Sequence, residues 1–313
     1  MKILFAGSPP ASAQILERLI ADGMELVGVI SQPDKRSKRG GDKEPSAVSL
    51  AAQKYGIKTF KPDTLGEAFQ NELLQFACDF LIVSAYGKIL PSWMLLHPKI
   101  APINIHYSLL PKYRGASPIQ SVFLGGESKT GISIMKMTEG LDEGPVYNSH
   151  EISIDDSDDR FSLEQKLVDA TNSILSRELN SILTGHAIAV EQTNKDATFC
   201  SKVTKDSGEI NLSTVSAHEM LRKFKAYSGW PGIYFDLKNT KIKIHGLAMI
   251  PLDGSHIFTG LFKFIDGNLA INLPIEALKN NDKLIVITYL QLPNKKIISA
   301  HDAANSYRDF FET

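Results

Sequence analysis

The chain has 313 residues, comfortable for two domains, and its 43% hydrophobic and 22% charged residues are an ordinary globular composition. A net charge of −1 excludes a protein that coats nucleic acid by bulk charge, so any polyanion must meet a local patch. The two cysteines, Cys78 and Cys200, show no metal or redox spacing; they suit a reducing cytosol as buried bystanders, and a cytoplasmic location is expected.

The opening "MKILFAGSPP" is broken too soon by Gly and Pro to be a signal peptide and reads as a first buried strand. Residues 12–22 follow with Ile15, Leu16, Leu19 and Ile20 at helical spacing. "ELVGVI", "FLIVSAYG" and "INIH" repeat the strand signal between helical patterns. Strand alternating with helix predicts an α/β, Rossmann-like, doubly wound and mostly parallel sheet. Ligands of such sheets bind beyond the carboxyl ends of the strands, so Gly7, Tyr86 and His106 are expected on one rim. A long helix is predicted over 161–184, and residues 185–207 are polar and aperiodic. A helix near 214–226 precedes the short strands "GIYFDL", "TKIKIHGLAMI", "GLFKFIDGNLAINL" and "KLIVITYLQLP", which predict a small β-barrel of the oligonucleotide-binding type. The expected partition is a sheet domain over 1–189, a linker over 190–207 and a β-rich domain over 208–313. No stretch is long and apolar enough to span a membrane.

Two loops invite functional readings that their spacing does not sustain. "GSPPAS" lacks the G-x-G-x-x-G spacing and puts prolines where a phosphate cradle needs N–H donors, so it reads as a pocket wall and no nicotinamide cofactor is expected. In "DDSDD" (155–159), Arg160 and Lys166 fall where a calcium loop needs Gly and Glu, which leaves a solvated acidic turn and no expected metal. The loop "PDKRSKRGGDK" carries Lys35, Arg36, Lys38, Arg39 and Lys43 directly after the second strand. It is either a solvated surface or a flexible arm for a phosphate backbone, and its place on the rim favours the arm.

The stretch "NIHYSLLPKYRGASP" (104–118) carries the chemistry. Side chains two apart on a strand share a face, so Asn104 and His106 project together from the strand end. An amide donates to a developing oxyanion without titrating, and an imidazole either donates or handles a proton. Asp142, in the turn "GLDEG", would tune the imidazole and hold a water that removes an amine proton. No serine or cysteine is set beside the histidine as a nucleophile, which favours direct acyl transfer to an amine.

"NIHYSLLPKYRGASPIQ" together with "TGISIMKMTEGLDEGPV" resembles the signature of the folate-dependent formyltransferases that use 10-formyltetrahydrofolate. The resemblance implies that Asn104, His106 and Asp142 are the catalytic trio. It implies that the turn Ser108, Leu109, Leu110 and Pro111 contacts the folate, and that "SAYGKILP" places Tyr86, Gly87 and Ile89 at the pterin pocket. The first domain would then be the catalytic one. "FAGSP", "QPDK…RGGDKEPSAV" and "FKAYSGWPG" extend the likeness over the whole chain, toward the branch of the family that formylates charged initiator tRNA. There the basic loop engages the acceptor end, Arg39 matching the key arginine, and the C-terminal domain helps to hold tRNA; a monomer is expected. Two places depart from the pattern: Tyr107 stands where many members have Gly, and "PSAVS" lacks the proline and lysine of P-S-P-V-K. Three alternatives remain beside this reading: a nucleotide-sugar N-formyltransferase, a glycinamide ribonucleotide formyltransferase, and a catalytically dead RNA-binding protein.

Overall fold

The computed structural model describes residues 1–36, 41–251, 258–273 and 283–312. Two compact units are formed, one by 1–119, 128–156 and 162–201, the other by 120–127, 157–161 and 202–313.

The first unit begins with β1 (Lys2–Gly7), α1 (Pro10–Ala21) and β2 (Glu25–Ile30). Pro10 opens α1 at a position whose N–H needs no helical partner, and Ile15, Leu16 and Leu19 bury one face. The short hairpin of β3 (Lys35–Arg36) and β4 (Lys43–Glu44) follows, then α2 (Ala47–Lys54), β5 (Thr59–Phe60), α3 (Glu67–Leu73), β6 (Phe80–Ser84), α4 (Ser92–Leu95) and β7 (Ala101–His106). Beyond come β8 (Arg114–Gly115), α5 (Pro118–Gly125, most of which falls in the second unit), β9 (Lys129–Lys136), β10 (Val146–Ser153), α6 (Arg160–Leu183) and β11 (Phe199–Cys200).

The main sheet has the order β10-β9-β7-β6-β1-β2-β5. The five strands from β7 to β5 are parallel, whereas β9 and β10 run antiparallel at one edge. That edge was not anticipated from the sequence. The chain winds outward from β1 through β2 to β5 and then returns to β6 and β7, so the strand order reverses between β1 and β6. The carboxyl end of β6 is tied to the first turn of α1, the helix that follows β1, because the Ser12 hydroxyl donates to the Ser84 carbonyl at 2.6 Å. One face of the sheet is sealed by Leu4, Ala6, Ile30, Phe60, Leu81, Val83 and Tyr86 with Leu73 and Met94. Burying each such aliphatic side chain is worth about 1.5–3 kcal/mol.

The second unit contains α7 (Ala217–Ala226), β12 (Ile233–Leu237), β13 (Thr240–Pro251), β14 (Phe262–Ile265), β15 (Asn268–Ile271), β16 (Lys283–Gln291), β17 (Ile298–Ser299) and α8 (Ala300–Phe311). Its strands form one antiparallel sheet in the order β12-β13-β16-β15-β14, with β17 also on β16, as the short alternating runs predict. Phe235, Phe262 and Phe311 pack ring against ring in its core. Serines cap α7 and α8: Ser216 accepts from Glu219 N–H and Ser299 from Asp302 N–H. Among the described residues no helix is long and apolar enough to cross a membrane.

Two sequence expectations need correction. The acidic turn at 155–159 is not wholly solvated: Asp158 is buried, and Asp159 accepts from the Phe161 N–H and the Ser228 hydroxyl. The expected linker over 190–207 is in part built into the first unit. Val190 bridges to Val146, and β11 pairs in parallel with β8, so the aperiodic polar sequence finds its backbone partners at long range.

Candidate active site

The site grows from the end of β7. In the sheet register Asn104 lies beside Val83 on β6 and Met135 on β9, and His106 beside Ser133 on β9. Asn104 and His106 therefore project from one face, while Ile105 between them is buried on the other. The chain then turns through Ser108–Pro111, with a cis bond between Leu110 and Pro111. Two serines close this turn. Ser108 is fully buried and its hydroxyl donates to the Lys112 carbonyl at 2.6 Å. Ser133 donates to the Ser108 carbonyl at 2.7 Å and accepts from the Leu110 N–H at 3.1 Å.

Asp142 reaches the same place from the connection between the antiparallel strands β9 and β10. The Lys136 N–H donates to the Pro145 carbonyl and closes that connection at its base. Gly144 must be glycine, since a Cβ there would sit 1.9 Å from the Lys136 carbonyl oxygen. Asp142 itself has φ +50°, a left-handed conformation that costs a non-glycine residue about 1–2 kcal/mol and persists only where neighbours hold it.

The three groups converge. The Asn104 amide donates to Asp142 Oδ1 at 3.2 Å, and His106 Nδ1 lies 3.7 Å from Asp142 Oδ2. The other histidine nitrogen, Nε2, is 2.9 Å from the Tyr113 carbonyl. A carbonyl only accepts, so Nε2 carries the proton and Nδ1 faces the carboxylate. The Gly115 N–H donates to Asp142 Oδ2 at 2.8 Å, so both carboxylate oxygens are engaged. The imidazole is 6% exposed and the carboxylate 14%, which makes the cluster protected yet reachable from solvent.

A third segment, 190–201, clamps these two loops and is invisible to sequence periodicity. Gln192 donates to the carbonyls of Asp142 and Gly144, and accepts from Arg114 Nε at 3.0 Å. Arg114 is buried and also donates to Asn194 Oδ1. Thr198 accepts from the Tyr113 N–H at 2.8 Å. Cys200 is more than a bystander: its thiol donates to the Tyr113 carbonyl that also receives His106 Nε2, and it accepts from the Ser117 N–H. Gly115 has φ +120°, and a Cβ there would lie 2.3 Å from the Cys200 carbonyl oxygen, so this contact admits only glycine.

The remaining candidates are dispersed. Tyr86 is buried in the core; its hydroxyl finds no hydrogen-bond partner among the described residues, and burial pushes the phenol up to about 12. Its carbonyl accepts from the Gln32 side chain. Gly87 adopts φ +80°, and Ile89 is 89% exposed. Leu109, Leu110 and Pro111 are half-buried. Tyr107 is not free-standing, as its ring sits beside Thr171 on α6 and burial raises its phenol. The departure at "PSAVS" also has a local account: Ser46 caps α2 by accepting from Ser49 N–H, and Ser49 is buried at its side.

Lys35, Arg36 and Lys43 are exposed on the hairpin stem, where Lys35 pairs with Glu44 and Arg36 with Lys43. Lys38 and Arg39 lie outside the described residues. The hairpin leaves the same carboxyl edge as His106 but three strands away, roughly 14 Å at a strand spacing of about 4.8 Å. Among the described residues no three His, Cys, Asp or Glu side chains converge as a metal site.

Residues 1–179 match the family model described as formyl transferase, and residues 202–308 match that of the formyl transferase C-terminal domain. The chain belongs to the formyl transferase family. Methionyl-tRNA formyltransferase of Thermotoga maritima is 35% identical over 306 residues, 97% of this chain and 95% of the relative. The protein of the same name from Sulfurihydrogenibium is 33% identical over 98% of this chain and 97% of its own. Among solved structures of the same fold, a sugar 3N-formyl transferase crystallised with dTDP and 5-N-formyl-THF superposes with a TM-score of 0.67 at 19% identity, over 95% of this chain and 99% of its own. An N-formyltransferase from Helicobacter canadensis gives 0.68 at 16% identity, over 92% of this chain and 98% of its own.

Proposed function

We propose that this formyl transferase moves the formyl group of 10-formyltetrahydrofolate to the amino group of methionyl initiator tRNA, with Asn104, His106 and Asp142 as the reacting cluster. The observation that carries the reading is the convergence of amide, imidazole and carboxylate at the sheet rim, in a chain that aligns over 97% of its length with a relative named for that reaction. Bound, the folate supplies a formyl carbon open to attack by an amine. The exposed Ile89 and the half-buried Leu109, Leu110 and Pro111 are apolar side chains of the kind that a flat ring system covers, and Tyr86 and Gly87 adjoin Ile89 in the chain.

The roles follow from the hydrogen bonds already made. Asn104 spends one amide N–H on Asp142 and keeps a second, which donates to the formyl oxygen as it gains negative charge. His106 keeps its Nε2 proton on the Tyr113 carbonyl. Its Nδ1 takes up a proton and then adds a donor and a positive charge beside the oxyanion, while Asp142 stabilises that charge. The Asp142–His106 pair receives the proton lost by the attacking nitrogen through a water. The pair then returns a proton to the folate nitrogen, which departs with the electrons of the broken C–N bond. No protein acyl intermediate is needed, so the amine attacks directly.

Lys35, Arg36 and Lys43, with Lys38 and Arg39 of the same sequence segment, supply a phosphate-binding arm, and the C-terminal sheet supports the tRNA body. The chain acts as a monomer in the cytoplasm. The test is to incubate the protein with labelled 10-formyltetrahydrofolate and either charged initiator tRNA or an amino-sugar nucleotide. Label on the aminoacyl-tRNA alone supports the reading. Label only on the sugar nucleotide replaces it with sugar N-formylation, and tRNA binding without transfer to either acceptor rejects the enzymatic role.

A further inference from the structure

We infer that Gln192 is a positioning residue for Asp142, holding in place the turn that carries the carboxylate; the inference rests on the catalytic reading of Asp142 given above. A guanidinium can only donate, so the contact with Arg114 Nε at 3.0 Å assigns Gln192 Oε1 to that side. The amide nitrogen then faces the carbonyls of Asp142 at 2.9 Å and Gly144 at 2.7 Å, and both of its protons are spent. These two carbonyls bracket the turn in which Asp142 takes its left-handed conformation. Arg114 directly precedes Gly115, whose N–H grips Asp142 Oδ2. One side chain therefore ties the main chain that bears the carboxylate to the main chain that grips it.

Gln192 is itself anchored from both sides. Val190 pairs through two backbone hydrogen bonds with Val146, and Asn194 receives the second arm of Arg114. Without Gln192 the two turn carbonyls lose this donor, and Asp142 relaxes more readily out of the left-handed region, since the Asn104 and Gly115 contacts hold its carboxylate and not its main chain. The carboxylate would then leave its place 3.7 Å from His106 Nδ1. Misplacement of a reacting group by about 1 Å is enough for a loss on the order of a hundredfold.

The experiment measures kcat, and KM for formylfolate and for methionyl-tRNA, in Gln192→Ala and Gln192→Glu, each alone and combined with Asp142→Asn. Gln192→Glu keeps the volume and the Arg114 contact but sets a carboxylate against two carbonyls, so it decides the matter if Gln192→Ala does not fold. The expected result is a fall of about ten- to a hundredfold in kcat with both KM values within about twofold of wild type. In the Asp142→Asn background the same changes cost less than about twofold more. The inference is overturned if Asp142→Asn is impaired while the Gln192 variants keep wild-type kcat, if their losses multiply in full in the double variant, or if only KM rises. Wild-type activity in Asp142→Asn is a separate outcome: it rejects the catalytic reading of Asp142 and removes the basis of the inference.

Discussion

The end of β7 and the segment 190–201 build the same site by opposite means. On β7 the sheet does the positioning: neighbouring strands hold the backbone in register, and Asn104 and His106 inherit their placement from a period of two. In 190–201 almost nothing is regular, and the placement comes from side chains one at a time: Gln192 and Thr198 reach main-chain groups, and Asn194 accepts from the Arg114 guanidinium. A strand end can lose a functional side chain and keep its shape. A clasp of single hydrogen bonds loses its shape when one member fails.

That contrast can be broken most severely at Asn104. Asn104→Ala should lower kcat by about a hundredfold or more with little change in folate affinity or thermal stability, because the strand stays and one oxyanion donor goes. Single-turnover rates under saturating substrates check it, and an unchanged rate would remove the amide from the chemistry. The clasp should behave otherwise. Gly115→Ala drives a Cβ to 2.3 Å from the Cys200 carbonyl at a φ that alanine disfavours, so we expect a stability loss of about 2–4 kcal/mol together with loss of activity. Denaturant unfolding followed beside kcat would show the two falling together; a stable, active Gly115→Ala would mean that β11 and β8 part without consequence.

A third region sharpens the comparison, because it is tied to neither. Replacing Lys35, Arg36 and Lys43 by alanine should leave stability and folate affinity unchanged while it weakens methionyl-tRNA binding. The log–log salt slope of tRNA binding should fall by roughly one unit for each phosphate contact removed. Titration of tRNA at several salt concentrations decides it, and an unaltered slope returns the stem to plain solvated surface. Arg39→Lys should restore only part of the activity lost in Arg39→Ala, since an ammonium lacks the planar fork of arginine.

The smallest effect concerns the core behind the strands. Burial pushes the Cys78 thiol up to about 11 from an ordinary 9.0. A raised pKa in the folded state means stability that is full below pH 9.0 and is lost as the pH climbs through about 11. Cys78→Ala lacks this group, so its stability deficit against wild type should narrow over that window. Urea midpoints at the two ends of the window measure it, and a constant difference would count against ionisation of this thiol.

What could be read from the sequence follows the same division. The parallel strands and the α6 stripe of Leu163, Leu167, Ile174 and Leu175 announce themselves because burial recurs at the period of the element. Asn104 and His106 were legible for that reason, and Asp142 only through the motif around it. Gln192 was not, because its partners lie 50 and 78 residues away and its own neighbourhood has no period. The antiparallel edge was missed for a related reason. β10 alternates between half-buried and exposed positions rather than reaching the core, so its hydrophobic signal is faint.

The position of the clasp along the chain sets an order in time. All strands of the main sheet are made by Ser153 and its long helix by Leu183, so a growing chain holds Asn104, His106 and Asp142 before Gln192, Thr198 and Cys200 exist. At about 5–20 residues per second, the interval from the end of that helix to Cys200 lasts roughly one to three seconds. During synthesis, the segment that closes the candidate site therefore trails the architecture that houses it. The nascent protein first acquires a framework and only afterwards the clasp that fastens its loops.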